Sequence, residues 1–440
     1  MRIFLASLLL AGCGSVKDSG APVDAPVDVS TVDADTSGDA TIVTEAALVG
    51  GTVGVNVGNI DIISMLPNNT VLAMTKTDAG GNATIKVFPG GTVTAVYKHT
   101  VDMGADLITY VGVKPGDTLT FGSRNFSTAG QTNTNIGSQT YSWPAQAGST
   151  SYNVFTSCTG IGVGGASTSV VGTEFSLCHK EPMDVLYGAF NGQLTHYNFR
   201  QNVAFTNGGT VSISGWIPVT NATVNITGIP TDVTNVSGNF SSVLDNNREI
   251  GLAGSFNGTL TGGAFTQNFV WHPGGDRTMS QMFFSRTGFG AMRLLDSFAS
   301  GTLTETVASP TFPPWQQSGV IVSSALRTAN WFLVPDAASV HDGQLLFMNW
   351  NHVVGGTNHF HQWHLILPPG QLSIVLPKLP AQFTDNLPFP QDGIGASIRA
   401  FDVGSLTSYD MVRAQPSRNI MCLECSIRGG DYQRVVFSGN

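Results

Sequence analysis

The chain has 440 residues and a net charge of −9, yet only 11% of its residues are charged. This length is enough for several domains. The absence of a basic excess argues against nucleic acid as a partner, and the scarcity of charged helix-forming residues argues against a helical body.

The first thirteen residues, MRIFLASLLLAGC, have the organisation of an export signal. Arg2 precedes an apolar stretch of eight residues, about 12 Å as a helix, which is too short to span a bilayer core of about 30 Å. Residues 10–13, Leu-Ala-Gly-Cys, resemble the lipobox of bacterial lipoproteins. The resemblance implies a signal peptide over 1–12, cleavage before Cys13 and a lipid anchor on its thiol. The alternative is an ordinary secretory signal followed by a chance cysteine.

Residues 13–46 are rich in Ala, Asp, Ser, Pro and Gly and contain no aromatic residue. Such a segment buries too little apolar surface to offset its ordering entropy, so we predict an acidic, disordered tether. Because Gly14 rather than an aspartate follows Cys13, the lipoprotein resemblance implies an outer-membrane location in the cell envelope. The membrane is then a partner through the lipid anchor.

From residue 47 onward, short β-branched and aromatic runs recur between Gly, Pro and Asn turns, which predicts an all-β body of tandem β-sandwiches. The first predicted domain spans 47–123. Its segment Thr75–Tyr97, TKTDAGGNATIKVFPGGTVTAVY, resembles the carboxypeptidase regulatory-like (transthyretin-like) sandwich. The resemblance implies a non-catalytic sandwich without active-site residues.

Two further regions complete the predicted body. Residues 124–230 contain Cys158 and Cys178, which have nineteen residues between them and are expected to form a disulfide in an oxidising envelope. Residues 231–440 are predicted to form further strands. The proline-rich segment 310–317 predicts a linker or an edge crossing, so 231–440 forms either one domain or two.

A histidine cluster is the strongest candidate for a site. Residues 349–364, NWNHVVGGTNHFHQWH, predict two strands joined by a turn at Gly355-Gly356. This hairpin would bring His352 near His359, with His361 on the same face as His359. Imidazoles in this arrangement could bind Zn²⁺ or Cu²⁺. The alternative is a solvated hairpin whose histidines face water, because no acidic residue between 343 and 384 is present to orient an imidazole.

Other candidate chemistry is sparse. Cys422 and Cys425 predict a tight disulfide near the C-terminus, with a metal half-site as the alternative. Neither G-x-S-x-G nor H-E-x-x-H occurs, so we predict no enzyme and no catalytic residues. Six tryptophans in the body are either core residues or platforms for sugars, and they are Trp143, Trp271, Trp315, Trp331, Trp350 and Trp363.

These observations predict a lipid-anchored envelope protein with non-catalytic β-sandwich modules for surface recognition or adhesion. Its expected partners are a glycan or another envelope protein. The first alternative is a metal-binding envelope protein that uses His352, His359 and His361. The second is a purely structural component of the envelope.

Overall fold

The computed structural model describes the chain in twelve segments. They are residues 37–46, 55–99, 104–123, 134–176, 178–244, 249–251, 254–301, 303–308, 312–335, 339–354, 356–424 and 434–439. The predicted signal peptide, Cys13 and most of the predicted tether therefore lie outside the described residues. No helix among the described residues is long and apolar enough to cross a membrane.

Strands dominate the described chain, as expected from its β-branched and turn-forming residues. The first eleven are β1 Gly38–Ala46, β2 Val55–Asn56, β3 Asp61–Met65, β4 Val71–Lys76, β5 Asn82–Val87, β6 Gly91–Lys98, β7 Ala105–Val113, β8 Thr118–Ser123, β9 Asn135–Ser142, β10 Ser151–Phe155 and β11 Gly160–Gly164. The next eleven are β12 Ser169–Phe175, β13 Met183–Asn191, β14 Gln193–Val203, β15 Thr210–Ser212, β16 Ile217–Pro218, β17 Thr220–Thr227, β18 Val233–Val243, β19 Glu249–Ile250, β20 Ser255–Thr259, β21 Phe265–Trp271 and β22 Arg277–Arg286. The last eleven are β23 Met292–Ala299, β24 Thr304–Ala308, β25 Trp315–Gln316, β26 Ile321–Ser323, β27 Thr328–Asn330, β28 Leu333–Val334, β29 Gly343–Val354, β30 Thr357–Leu367, β31 Ser373–Val375, β32 Gly395–Val403 and β33 Arg434–Ser438. The described helices are the 3₁₀ helix Ala381–Asn386, α1 Tyr409–Ala414 and α2 Ser417–Met421.

The all-β fold predicted from the sequence is confirmed. A thirteen-stranded sheet forms its largest element, and its strands follow the order β19-β18-β22-β23-β33-β32-β29-β30-β7-β6-β3-β4, with β20 beside β18. Strands β7 and β30 join the N-terminal part of this sheet to the C-terminal part. They pair in parallel, from His361 opposite Ala105 to Ile366 opposite Tyr110. Hydrogen bonding in this sheet therefore crosses the predicted domain boundary at residue 123.

A smaller β-sandwich contains the disulfide. Its five-stranded sheet β11-β10-β13-β14-β16 packs on the three-stranded sheet β12-β9-β15, and buried aromatic residues such as Tyr141, Tyr152 and Tyr187 fill the space between them. Cys158 and Cys178 are bonded to each other, and their Cα atoms are 5.0 Å apart. The predicted disulfide between these two cysteines is therefore confirmed.

The end of the predicted tether is an ordered strand, so the disorder predicted through residue 46 is wrong for its last nine residues. Strand β1 pairs with β5 in antiparallel fashion and with β8 in parallel. Ala40, Ile42 and Ala46 alternate with more exposed residues and are buried in the core. The reason is the period of two along this stretch, which places one apolar face against the sandwich.

The C-terminal helices pack on the same core as strand β1. Arg418 of α2 forms an ion pair with Glu45 of β1 at 2.5 Å. The Tyr409 hydroxyl of α1 lies 2.8 Å from the carbonyl oxygens of both Val111 and Ile366. Because these carbonyls belong to β7 and β30, α1 braces the junction on which the histidine hairpin is built.

Candidate metal centre

Strands β29 and β30 form the hairpin predicted from the sequence. His352 lies directly opposite His359, and Trp350 lies opposite His361. The turn between the strands includes Gly356 with a φ of 84°, a left-handed conformation that glycine adopts without a Cβ clash. The predicted proximity of the three histidines is therefore observed.

The three histidines share one face of the hairpin, and this face is covered by protein. His352, His359 and His361 are 5%, 9% and 0% exposed, whereas His364 lies on the opposite face and is half-buried. The alternative of a solvated hairpin whose histidines face water is therefore wrong. The covering residues come from parts of the chain that are distant in sequence.

The imidazole rings approach one another closely. The ring centres of His352 and His361 are 4.6 Å apart, and that of His359 is 5.9 Å from His352 and 6.4 Å from His361. One nitrogen from each ring can be chosen so that all three lie within 4.8 Å of one another. Binding one Zn²⁺ ion with Zn–N bonds of roughly 2.0–2.1 Å would require these three nitrogens to move closer together.

Asp392 is an acidic partner that the sequence window around the histidines did not include. Its Oδ2 atom lies 3.3 Å from His352 Nδ1 and accepts a hydrogen bond from the Phe389 backbone N–H at 2.7 Å. An ionised carboxylate accepts hydrogen bonds and cannot donate them, so Nδ1 carries the ring hydrogen of His352. The lone pair of the neutral imidazole is then on Nε2.

The Nε2 atom of His352 is the best indication of a ligand in this cluster. It is buried and has no hydrogen-bond partner among the described residues. A carboxylate on one ring nitrogen and a metal on the other is the common arrangement of metal-bound histidine. The Asp392–His352 pair therefore has the form of a carboxylate–histidine support for a metal ion.

Aromatic residues enclose the cluster. The Phe389 ring stacks on His352 with centres 4.6 Å apart, and the Trp350 indole lies parallel to His361 with centres 5.5 Å apart. These rings exclude water and lower the local dielectric constant, which strengthens interactions between an ion and its ligands. Phe389 and Asp392 belong to one loop, so this loop closes the open side of the hairpin.

The remaining candidate residues have separate positions. The Cys158–Cys178 disulfide is part of the smaller sandwich. Cys422 is buried near the C-terminal helices, whereas Cys425 lies outside the described residues, so their predicted pairing stays a prediction. The histidine cluster therefore receives no cysteine from the described part of the chain.

The tryptophans predicted as either core or sugar platforms are core residues. Trp143 is 4% exposed, and Trp271, Trp315, Trp331, Trp350 and Trp363 are each at most 1% exposed. Their ring faces are covered by other side chains and are not available to a sugar. A glycan would have to bind through other residues.

Comparisons with known proteins identify no family. No family model matches the chain, and no curated protein matches it. Similar solved structures include the Bacillus anthracis TIE protein, with 10% identity and a TM-score of 0.15 over 62% of this chain and 50% of that one. They also include E. coli alpha-2-macroglobulin, with 10% identity and a TM-score of 0.13 over 79% and 26%. The pilus adhesin SpaC from Lactobacillus rhamnosus GG has 8% identity and a TM-score of 0.13 over 75% and 44%. The chain thus spans half or less of the length of each of these proteins, and the low TM-scores give no support to any shared function.

Proposed function

We propose that this chain is a lipid-anchored envelope protein that binds one Zn²⁺ or Cu²⁺ ion through His352, His359 and His361. The observation that carries the proposal is the burial of three imidazoles whose nitrogens lie within 4.8 Å of one another. Removing three polar rings from water is costly unless they gain partners. Coordination to one ion would provide such a partner for the buried Nε2 atom of His352.

The choice between metal ions follows from the ligand atoms. Imidazole suits Zn²⁺ and Cu²⁺, whereas Mg²⁺ and Ca²⁺ prefer oxygen ligands. Asp392 supports the proposal because it fixes His352 with its Nε2 lone pair free. Since neutral imidazole is the binding form and protons compete with the metal, affinity should fall as the pH is lowered.

Metal analysis of protein purified without an affinity tag tests this proposal. We expect about one equivalent of zinc or copper per chain, and we expect it to be lost in the His359→Ala/His361→Ala double variant. His364→Ala is the matched control, since this histidine lies on the opposite face of the same strand, and it should keep the metal. Equal metal content in the wild type and the double variant, or no metal in wild-type protein after loading with Zn²⁺ and with Cu²⁺, would contradict the proposal.

The envelope location rests on the signal-like segment that ends at Cys13. Intact mass of the membrane-extracted protein tests it. We expect a chain that begins at Cys13 and carries lipid, and we expect a Cys13→Ser version to lack both changes. An unmodified chain would show that the anchor is absent.

Recognition at the cell surface is a second candidate function, favoured by an open cleft of about 320 Å³. Phe289, Gln316 and Gln317 line it together with Ser318 and several glycines. The side-chain oxygen of Gln316 is buried without a hydrogen-bond partner among the described residues. An aromatic ring, two amides and a hydroxyl, with no charged side chain in the lining, suit a neutral sugar. Glycan-array binding that is lost in Gln317→Ala would support this role, and a blank array would remove it.

A further inference from the structure

Trp350 differs from the tryptophan next to it on the same hairpin face. The Trp363 Nε1–H donates to Thr109 Oγ1 at 2.8 Å. The Trp350 Nε1–H is buried and has no acceptor among the described residues. A buried indole N–H usually has a hydrogen-bond partner, and leaving it without one costs free energy. Trp350 therefore carries a donor that a bound molecule could satisfy.

The position of this donor ties it to the histidine cluster. Trp350 lies opposite His361 across the hairpin and two residues before His352 on the same face. Its indole plane is within 10° of the His361 ring plane, and the ring centres are 5.5 Å apart. The Trp350 indole is therefore stacked on one of the three rings that would hold the ion.

Coordination chemistry supplies a matching acceptor. A Zn²⁺ ion held by three protein ligands keeps a fourth position for water or a small ligand, and it lowers the pKa of bound water toward neutrality. Within the described part of the chain, the three histidines are the residues here whose ligand atoms all lie within 4.8 Å of one another, and Asp392 contacts His352 from behind. A small anion in the fourth position would accept a hydrogen bond from a nearby indole N–H.

We propose that the metal centre binds a small monodentate anion, such as hydroxide, as an exchangeable ligand, and that the Trp350 Nε1–H donates a hydrogen bond to it. This inference rests on the proposed metal-binding function. The proposed ion then has one exchangeable coordination position. A purely structural ion, in contrast, has four protein ligands and no open position. Trp350 is then the residue that tunes which anions bind.

Azide binding to the Co²⁺-loaded protein tests the inference. Azide is a small monodentate anion, and the visible absorption of Co²⁺ reports a change of ligand. We expect azide to change the spectrum of the wild type, and we expect Trp350→Phe to weaken azide binding about tenfold, as for a lost hydrogen bond to a charged group. Trp363→Phe is the matched control, because its indole N–H is directed to Thr109, and it should bind azide like the wild type.

A second measurement uses the wild type alone and does not depend on the folding of a variant. In ¹⁵N-labelled, Zn²⁺-loaded protein, azide should shift one of the seven indole N–H signals strongly. The shifted signal should be the one that is missing from the Trp350→Phe spectrum.

The possible failures are distinguishable. Protein that takes up none of Co²⁺, Zn²⁺ and Cu²⁺ would overturn the proposed metal-binding function and this inference with it. Protein that binds the metal but shows no azide-dependent change would overturn the inference alone. An azide affinity in Trp350→Phe equal to that of the wild type would likewise overturn the inference alone.

Discussion

Glu305→Gln should make the protein more stable than the wild type at pH 8 to 9 and should leave its stability almost unchanged at pH 5. Glu305 lies on β24, is 5% exposed, and accepts a hydrogen bond from Ser280 Oγ at 2.7 Å. Its second carboxyl oxygen has no partner among the described residues. Burial, with a smaller contribution from nearby Asp296, raises the pKa of the Glu305 carboxyl from 4.5 to about 8.

The sign of the pH effect follows from proton binding. Between pH 4.5 and about 8 the folded chain keeps a proton on Glu305 that the unfolded chain has lost. The free energy of unfolding therefore falls by about 1.4 kcal/mol per pH unit across this window. Glutamine resembles the protonated acid and cannot ionise, so the variant avoids this loss.

Urea unfolding of the wild type and Glu305→Gln between pH 4.5 and 9 measures the effect. The difference between the two proteins should grow steadily with pH and reach several kcal/mol. Asp385→Asn is a suitable control because Asp385 is exposed in the 3₁₀ helix, and it should leave the pH profile unchanged. Parallel profiles of wild type and Glu305→Gln would show that Glu305 ionises normally in the folded protein.

Asp392→Ala should lower the affinity for Zn²⁺ by about 10-fold to 100-fold, the usual range for loss of a carboxylate behind a metal-bound histidine. The carboxylate holds the His352 Nδ1–H and also accepts the Phe389 N–H. Without it, His352 can adopt the other tautomer and can rotate away from the ion. Phe389 would also lose part of its support over the ring.

Competition with a coloured chelator measures this affinity. Asp392→Asn keeps an acceptor oxygen for the His352 ring, so its loss of affinity should be smaller than that of Asp392→Ala. His364→Ala again serves as the control, because His364 lies on the opposite face of the hairpin. Wild-type affinity in Asp392→Ala would show that the carboxylate does not support the metal site.

The histidine hairpin could be predicted from the sequence because its determinants are local. The Gly355-Gly356 pair indicates a turn, and the period of two along a strand assigns His359 and His361 to one face. Burial of these residues could not be predicted in the same way. It depends on Phe389 and Asp392, which approach from a loop more than twenty residues further along the chain.

Some strands can likewise be predicted from local sequence, whereas others depend on parts of the chain that are distant in sequence. The turn sequence at residues 89–91, Pro-Gly-Gly, lies where β5 ends and β6 begins, so local sequence indicates the bounds of these strands. Strand β3, Asp61–Met65, is almost continuously buried, so its sequence shows little alternation from which a strand can be predicted. At β1 the composition of the tether predicts disorder, whereas the alternating pattern of the same residues is that of a strand. Its partners β5 and β8 are 36 or more positions away in sequence.

The parallel pairing of β7 with β30 also constrains how the chain can fold. The edge of β7 finds its partner only after about 250 further residues have been synthesised. Until then its backbone N–H and C=O groups offer an open template for pairing with another chain. Such long-range contacts slow folding and prolong the lifetime of aggregation-prone intermediates. Production of this protein should therefore depend strongly on chaperone capacity, and fragments that end before β30 should aggregate.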